Sequence, residues 1–214
     1  MLQPSLRSLG SLPLTVLLVV LAAGSASADV ELTPTLGYRF DDYRCSGDIA
    51  GPSVPPPACN HVTARSDDGP VFGLVLAFDV RRPLQLELLA SRQESELHLT
   101  SRVPTAVPFA PLDDPDYTVT HLQLGLSRTW GEGTVRPFAG VAVGGSRVEA
   151  DSPQRIVDFE DDVPSASLGA GVKLLLGERL GLRLEGRGYW LDLPSELGGG
   201  FAQGDATVGL ILRR

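Results

Sequence analysis

Apolar and polar residues alternate along most of this chain. The pattern is clearest in residues 181–190, where three charged residues stand singly between leucines and glycines. Successive side chains of a β-strand point to opposite faces, whereas a helix repeats its apolar positions every three to four residues. Beyond the N-terminal region, no segment shows helical spacing. Eight segments alternate in this way: 30–41, 72–80, 84–91, 121–127, 138–144, 167–176, 181–190 and 205–212. The pattern predicts an all-β chain.

Short and long connections alternate between these eight segments. The short ones are residues 81–83, 130–134 and 177–179, and the longer ones are rich in Pro, Asp and Ser. In an up-and-down meander, this alternation puts all the short connections at one end. Outer-membrane barrels have the same layout, with short periplasmic turns and longer extracellular loops. We therefore predict an eight-stranded antiparallel up-and-down transmembrane β-barrel.

The charged positions decide which face of the strands meets lipid. Arg183, Glu185 and Arg187 share one face of their segment. An Arg facing lipid at the bilayer midplane costs about 2–4 kcal/mol, so the leucines are expected to face lipid and the charges to fill the lumen. Small residues on the charged face, such as Gly169 and Gly171, suit the crowded interior of an eight-stranded barrel. The alternative is a soluble periplasmic barrel that binds an apolar ligand, with the two faces reversed.

Charges inside a barrel are expected to pair, because an isolated buried charge is strongly destabilising. Strand register predicts that Arg187 opposes Asp205, and that Lys173 meets Glu185 across the 177–179 turn. The predicted lumen charge network is Glu31, Arg39, Asp79, Glu87, Lys173, Arg183, Glu185, Arg187 and Asp205. Two interpretations stay open, namely a polar plug that fills the interior and a narrow channel or small-solute carrier lined by ion pairs.

Aromatic residues near the strand ends predict belts at the two membrane interfaces. The predicted aromatic girdle has one group beside the long loops and a second group beside the short turns. The first group is Phe40, Phe72, Tyr117, Trp190 and Phe201, and the second is Phe78 and Trp130.

The N-terminal region has the features of a secretory signal. Arg7 precedes an apolar run, and Ala26-Ser27-Ala28 has the small-x-small form of a signal-peptidase site. We predict a cleaved signal peptide over residues 1–28 and a barrel domain over residues 29–214. An exported chain meets oxidising surroundings, so Cys45 and Cys59 are predicted to form a disulfide within the first long loop.

Two predicted strands are rich in Gly, with the sequences VRPFAGVAVGGS from residue 135 and ASLGAGVKLLLG from residue 166. With the rhythm of strands, turns and loops, they make residues 30–212 resemble the small OmpA/OmpX-like outer-membrane β-barrels. The resemblance implies insertion in the outer membrane of a Gram-negative-type bacterium, in contact with lipid and lipopolysaccharide. One departure is the C-terminus, which ends in Leu-Arg-Arg where such barrels usually carry an aromatic residue that assists assembly.

Candidate chemistry is sparse. Of the three histidines, only His121 has a clear inward position, near Gln123 and Ser127, and a buried hydrogen-bonded role is expected for it. No nucleophile motif or metal-ligand spacing is present, so we predict neither an enzyme nor a cofactor or metal. The acidic clusters at 113–116 and 158–162 could hold divalent cations that bridge lipopolysaccharide, or simply keep the loops solvated.

The charge balance limits the partners. The net charge is −8 and no basic stripe is present, which argues against a nucleic-acid partner. For the barrel we predict a monomer with a structural or surface-interaction role through its extracellular loops, with a surface protein as one candidate partner.

Overall fold

The computed structural model describes residues 30–41, 44–46, 62–81, 83–101, 116–151, 158–192 and 201–214. Within these ranges no helix is long and apolar enough to cross a membrane. The strands are β1 (Val30–Asp41), β2 (Arg44–Ser46), β3 (Val62–Ser66), β4 (Gly69–Arg81), β5 (Leu84–Ser101), β6 (Asp116–Thr129), β7 (Val135–Asp151), β8 (Asp158–Leu175), β9 (Leu180–Leu191) and β10 (Phe201–Arg213). The predicted signal peptide lies outside the described residues.

Eight of these strands close into a barrel. Around the barrel they follow the order β1, β4, β5, β6, β7, β8, β9 and β10, and every neighbouring pair is antiparallel. The pairing of β1 with β10, in which Glu31 lies opposite Arg213, closes the sheet. Closure removes the sheet edges, whose unpaired amide and carbonyl groups could not be satisfied in lipid. The predicted eight-stranded antiparallel up-and-down barrel is confirmed.

The two short strands prolong the barrel wall. β2 pairs with β3, and β3 pairs with β5 beyond the part of β5 that β4 contacts. Ser66 lies opposite Leu97, and Val71 lies opposite Gln93. Five steps along β3–β4 thus match four along β5, which marks a bulge at residues 67–68. Cys45 lies in β2, but its side chain and all of Cys59 are outside the described residues, so the disulfide stays a prediction.

The two ends of the barrel differ, as the connections predicted. The three short connections lie at one end, together with Val30, whose carbonyl accepts a hydrogen bond of 3.1 Å from the Arg214 amide. We call this end the short-turn end. β5, β7 and β8 have 17 or 18 residues, whereas a tilted strand needs about 9–11 to cross a bilayer. Asp116 of β6 lies opposite Asp151 of β7, so β6 reaches the same level, and β5 to β8 together extend past β1, β4, β9 and β10 at the long-connection end.

The barrel is apolar outside and charged inside. Large hydrophobic side chains on the outer wall are roughly half exposed, among them Leu36, Leu124, Val141, Leu168, Leu184 and Val208. Arg183, Glu185 and Arg187 point inward and are buried. A water-soluble barrel requires the opposite arrangement, so the soluble alternative does not fit this structure.

Inward-facing glycines leave room for the interior side chains. A Cβ atom added to Gly171 would overlap the Leu184 carbonyl oxygen and come within 2.9 Å of the Phe138 ring. A Cβ atom added to Gly186, on the outer face of the adjacent strand, would meet no atom closer than the Asp205 carbonyl oxygen at 3.8 Å. Space is therefore limiting on the lumen side only.

Gly171→Ala should destabilise the barrel by about 1–3 kcal/mol, because the extra methyl group overpacks the lumen. Gly186→Ala should cost far less, because its methyl group projects into open space on the outer wall. Urea unfolding in lipid vesicles, followed by tryptophan fluorescence, measures both. Equal losses for the two variants would contradict the assignment of faces.

Candidate functional site

Among the described residues, the lumen buries four carboxylates and four cations. Each has at most 7% of its surface exposed. They are Glu31, Glu87, Glu185 and Asp205, with Arg39, Lys173, Arg183 and Arg187. The charges of this set cancel, which is the condition for burying them together at tolerable cost. The structure thus places eight of the nine predicted network residues in the interior.

The ninth residue, Asp79, is half-buried at the short-turn end. Its Oδ1 accepts a hydrogen bond of 2.7 Å from Gln85 Nε2. Lys173 Nζ donates to Gln85 Oε1 at 2.7 Å and to Glu31 Oε2 at 2.5 Å. Arg213 Nε lies 3.0 Å from the other oxygen of Glu31. Glu31 is therefore shared by two cations, and this layer closes the lumen at the short-turn end.

A cluster of two arginines and two glutamates occupies the middle of the lumen. Arg183 binds both oxygens of Glu87, at 2.9 and 3.2 Å, and its Nε donates to Glu185 at 2.8 Å. Arg187 donates to Glu185 Oε1 from Nε at 3.0 Å and from Nη2 at 2.6 Å. The Arg183 guanidinium also lies 4.3 Å from the centroid of the Phe138 ring. Charge-assisted paired hydrogen bonds of this kind are the strongest that side chains make.

Neutral side chains extend this cluster. Arg187 Nη1 donates to Ser167 Oγ at 2.9 Å, and Ser167 donates to Gln123 Oε1 at 2.6 Å. Gln123 Nε2 in turn donates to Ser165 Oγ at 2.9 Å. The predicted network did not include these partners. Their odd residue numbers place them on the inward face of β6 and β8 (we call this inward parity), which could have suggested them.

Arg39 and His121 form the next layer toward the long-connection end. Arg39 is fully buried and donates to Asp205 at 3.1 Å and to Ser91 at 3.0 Å. Its guanidinium carbon lies 4.8 Å from the centre of the Tyr189 ring. The His121 ring stacks on the same tyrosine, with 4.4 Å between the ring centroids.

His121 is hydrogen-bonded at both ring nitrogens. Nδ1 lies 2.5 Å from Ser146 Oγ, and Nε2 lies 3.2 Å from Gln203 Oε1. The sequence neighbours Gln123 and Ser127 bind elsewhere, Ser127 to Glu87 at 2.7 Å. Ser146 and His121 are each 2% exposed, so no substrate could reach this serine–histidine pair.

Two of these contacts cross the whole barrel. β5 and β9 lie four places apart in the ring of eight strands, and so do β6 and β10. The Arg183–Glu87 contact joins the first pair of strands, and the His121–Gln203 contact joins the second. We call these contacts the cross-lumen bridges. At both levels, side chains fill the lumen from one wall to the other.

The predicted pairing of lumen charges was wrong in two places. Arg187 lies opposite Asp205 in register as expected, yet Arg187 binds Glu185 and Asp205 binds Arg39. Lys173 lies opposite Arg183 in register, not opposite Glu185, and it binds Glu31 on β1. Long side chains reach across a narrow lumen to other strands, so neighbours in register are not the necessary partners.

Tyr117 was wrongly assigned to the aromatic girdle. It is 1% exposed and points inward, because it has the same odd parity on β6 as the inward His121. With Val119, Val148 and Val163, each 5% exposed or less, it places apolar side chains beyond the His121 layer.

The other girdle residues lie on the outer wall where the structure describes their side chains. Phe40, Phe72 and Trp190 are about half exposed toward the long-connection end. Trp130 is exposed at the short-turn end, where the Arg128 guanidinium lies 5.7 Å from its ring, and Phe78 is half-buried. The Phe201 side chain is outside the described residues.

An ion cluster on the projecting outer wall neutralises part of one acidic segment. Arg147 binds Glu160 at 3.1 Å and both oxygens of Asp162 at 2.8 and 3.0 Å. These hydrogen bonds hold the pKa of Asp162 below its usual value. In the part of the chain that the structure describes, no group of three or more His, Cys, Asp or Glu side chains could hold a metal ion.

The closed sheet, the apolar outer wall and the charged lumen define the fold of the small eight-stranded outer-membrane β-barrels. Two solved structures of this class match the chain. Neisserial surface protein A has a TM-score of 0.57 and 10% identity, covering 87% of this chain and 99% of its own. OprG from Pseudomonas aeruginosa has a TM-score of 0.57 and 16% identity, covering 87% and 94%. These likenesses show the fold alone.

Sequence comparison adds no closer relationship. No protein-family model matches the chain, and no curated protein matches it.

Replacing Arg183 should be among the most damaging changes in the lumen. Arg183→Met leaves Glu87 buried without its paired guanidinium, and breaking such a pair costs about 3–5 kcal/mol. Arg147→Met removes an exposed arginine and should cost about 0–1 kcal/mol. Urea unfolding in lipid vesicles measures both. Adding Glu87→Gln to Arg183→Met should restore part of the lost free energy of unfolding. A double variant that is less stable than Arg183→Met alone would contradict this pairing.

Proposed function

We propose that this chain is an outer-membrane β-barrel protein whose lumen is closed by a polar plug and whose role is structural or surface-interacting. In this proposal residues 1–28 direct export and are removed, and residues 29–214 form a monomeric barrel in the outer membrane of a Gram-negative-type bacterium. Lipid and lipopolysaccharide contact the outer wall. The short-turn end faces the periplasm, and the long connections face the exterior. We assign no enzyme activity and no cofactor.

The observation that carries the proposal is the pair of cross-lumen bridges. Arg183 and Glu87 are 1% exposed and meet at 2.9 Å between strands on opposite sides of the barrel. Below them, Lys173 joins β8 to β1 through Glu31 and to β5 through Gln85. An ion crossing the lumen would have to part several charge-assisted contacts in a desolvated interior, which supports a plug over a channel or solute carrier.

The long-connection end supports a surface role. Strands β5 to β8 extend furthest there, and Arg147, Glu160 and Asp162 form an exposed ion cluster on the outer wall of β7 and β8. Loops held by a rigid scaffold commonly carry binding functions. A protein partner at the cell surface would meet this projecting sheet and the long connections first.

The purified barrel should not conduct ions steadily in planar lipid bilayers, because the cross-lumen bridges close the lumen. Arg183→Ala combined with Glu87→Ala removes one bridge and its charges together, but the His121–Gln203 bridge and the Lys173–Glu31 layer remain, so this variant should not conduct steadily either. A shift in gel mobility on heating verifies that each variant is folded. Steady conductance by the unmodified barrel would contradict the plug and favour the channel.

Trypsin added to intact cells should cut the chain at the long-connection end only. Sequence places Arg102 and Arg155 in two of the long connections, whereas Arg179 lies in a short turn. Fragments from Arg102 or Arg155 should appear with intact cells, and cleavage after Arg179 should require permeabilised cells. Mass spectrometry of the fragments reads the sites. Cleavage at Arg179 in intact cells would show that the barrel has the opposite orientation. Recovery of the protein in the soluble periplasm would contradict the membrane assignment.

A further inference from the structure

A cleft at the short-turn end gathers four arginines, of which only Arg213 also contacts the plug, through Glu31. It has a volume of about 770 Å³, and four arginines line it with a single acidic side chain, that of Glu178. The arginines are Arg136, Arg179, Arg213 and Arg214. They come from β7, β10, the 177–179 turn and the residue after β10, so only the folded barrel brings them together. We call this cavity the arginine cleft.

The neighbouring cavity shows that this charge is local. The vestibule beside the arginine cleft has a volume of about 720 Å³ and leads to Lys173 and Glu31. Its lining contains three acidic and three basic side chains: Glu31, Asp79, Glu132, Arg136, Lys173 and Arg213. The vestibule is therefore balanced in charge. Arg136 and Arg213 line both cavities, so the side chains found only in the arginine cleft, Arg179, Arg214 and Glu178, add an excess of one positive charge to that balanced set.

Two of the arginines are held in place by the barrel itself. Arg136 donates from Nε to the Gly133 carbonyl at 3.0 Å and from Nη2 to the Glu132 carbonyl at 3.3 Å. Those two bonds leave the Nη1 group of Arg136 for a ligand. Arg213 is fixed by Glu31 through its Nε, which leaves its two terminal nitrogens. Arginines positioned in this way lose little side-chain entropy on binding, which favours recognition of oxyanions.

Arg179 adds a further cation to the arginine cleft. Its carbonyl accepts a hydrogen bond of 2.9 Å from the Arg213 amide, so the two residues are neighbours. Within the described strands and turns, no carboxylate forms an ion pair with Arg179. The cation therefore depends on solvent or a ligand for its compensation.

The arginine cleft opens toward the aqueous mouth of the barrel. Arg136 has the parity of the inward Phe138, and Arg213 has the parity of the inward Ile211. Leu176 and Leu180, which flank the 177–179 turn, are 66% and 49% exposed on the outer wall. Lipid therefore meets leucines here, and Arg136 and Arg213 meet the solution at the barrel mouth.

We infer that the arginine cleft is a binding site for the oxyanion group, phosphate or carboxylate, of a water-soluble ligand at the short-turn end of the barrel. Guanidinium groups bind such oxyanions through paired, charge-assisted hydrogen bonds. A cavity of this size is within the range of small-molecule sites. The site is a dead end, because the Lys173–Glu31 layer closes the lumen beside it. Binding does not depend on the proposed surface role or on the orientation in the membrane.

The test uses the folded barrel in an uncharged detergent at low ionic strength, with inorganic phosphate as the probe. Phosphate should shift the Nε–Hε NMR signals of Arg136, Arg179 and Arg213 saturably. Arg136→Gln combined with Arg179→Gln should weaken phosphate binding about tenfold or more, because two charge-assisted contacts are lost. Arg147→Gln, which removes one exposed cation at the opposite end, should leave the affinity within about twofold.

Each outcome decides for or against the site. Saturable shifts that the double variant reduces and Arg147→Gln does not would support the arginine cleft. Non-saturable shifts, or equal affinity in the double variant, would overturn it. A parallel titration with phosphatidylglycerol separates the two sources of phosphate, since a response to this lipid and none to inorganic phosphate would assign the arginines to a membrane surface. The gel mobility shift on heating confirms that the double variant is folded.

Discussion

Charged side chains on the strands of a sheet can leave both lipid and bulk water only if the sheet closes around them. In this barrel β1 pairs with β10, and the enclosed space receives four carboxylates and four cations. A cation left without its partner would carry a desolvation cost of several kcal/mol, so the network is stable only as a complete set. The same closure satisfies the backbone groups that lipid cannot, which links the electrostatics of the lumen to the hydrogen bonding of the wall.

Packing of the lumen depends on small residues facing large ones. A Cβ atom on Gly169 would lie 2.8 Å from Arg187 Nη2 and overlap Glu185, and one on Gly171 would crowd Phe138. The glycines on β8 thus provide the volume that the arginines on β9 occupy. Rigid neighbours then hold the guanidinium groups where Glu87 and Glu185 can bind them. The middle of the lumen keeps only a small cavity of about 30 Å³ for this reason, and the two large cavities with charged linings lie at the short-turn end.

Much of this architecture could be predicted from local pattern. The eight strands, their faces and the two unlike ends follow from alternation and connection length, and eight of the nine predicted lumen charges are buried. The prediction was wrong where it used register alone to pair charges. It also missed partners that carry no charge, such as Ser167 and Gln123, and it overlooked that Tyr117 has the inward parity of His121. Parity identifies the face of a residue, whereas the partner depends on how far a side chain reaches across the lumen.

The amino-acid sequence by itself determined which residues face inward, because the two-residue period of a strand is a local property and lipid excludes the charged face. Only the tertiary structure decided which inward residues meet. Glu87 and Arg183 are far apart in the chain and on opposite walls, and they touch because eight strands make a lumen narrow enough for two side chains to span. The arginine cleft likewise needs the paired strands, since the register of β9 with β10 brings the 177–179 turn beside Arg213. Contacts of this kind depend on the diameter of the barrel and on the register of its strands. Both are properties of the whole closed sheet, so the sequence of a single segment does not determine them.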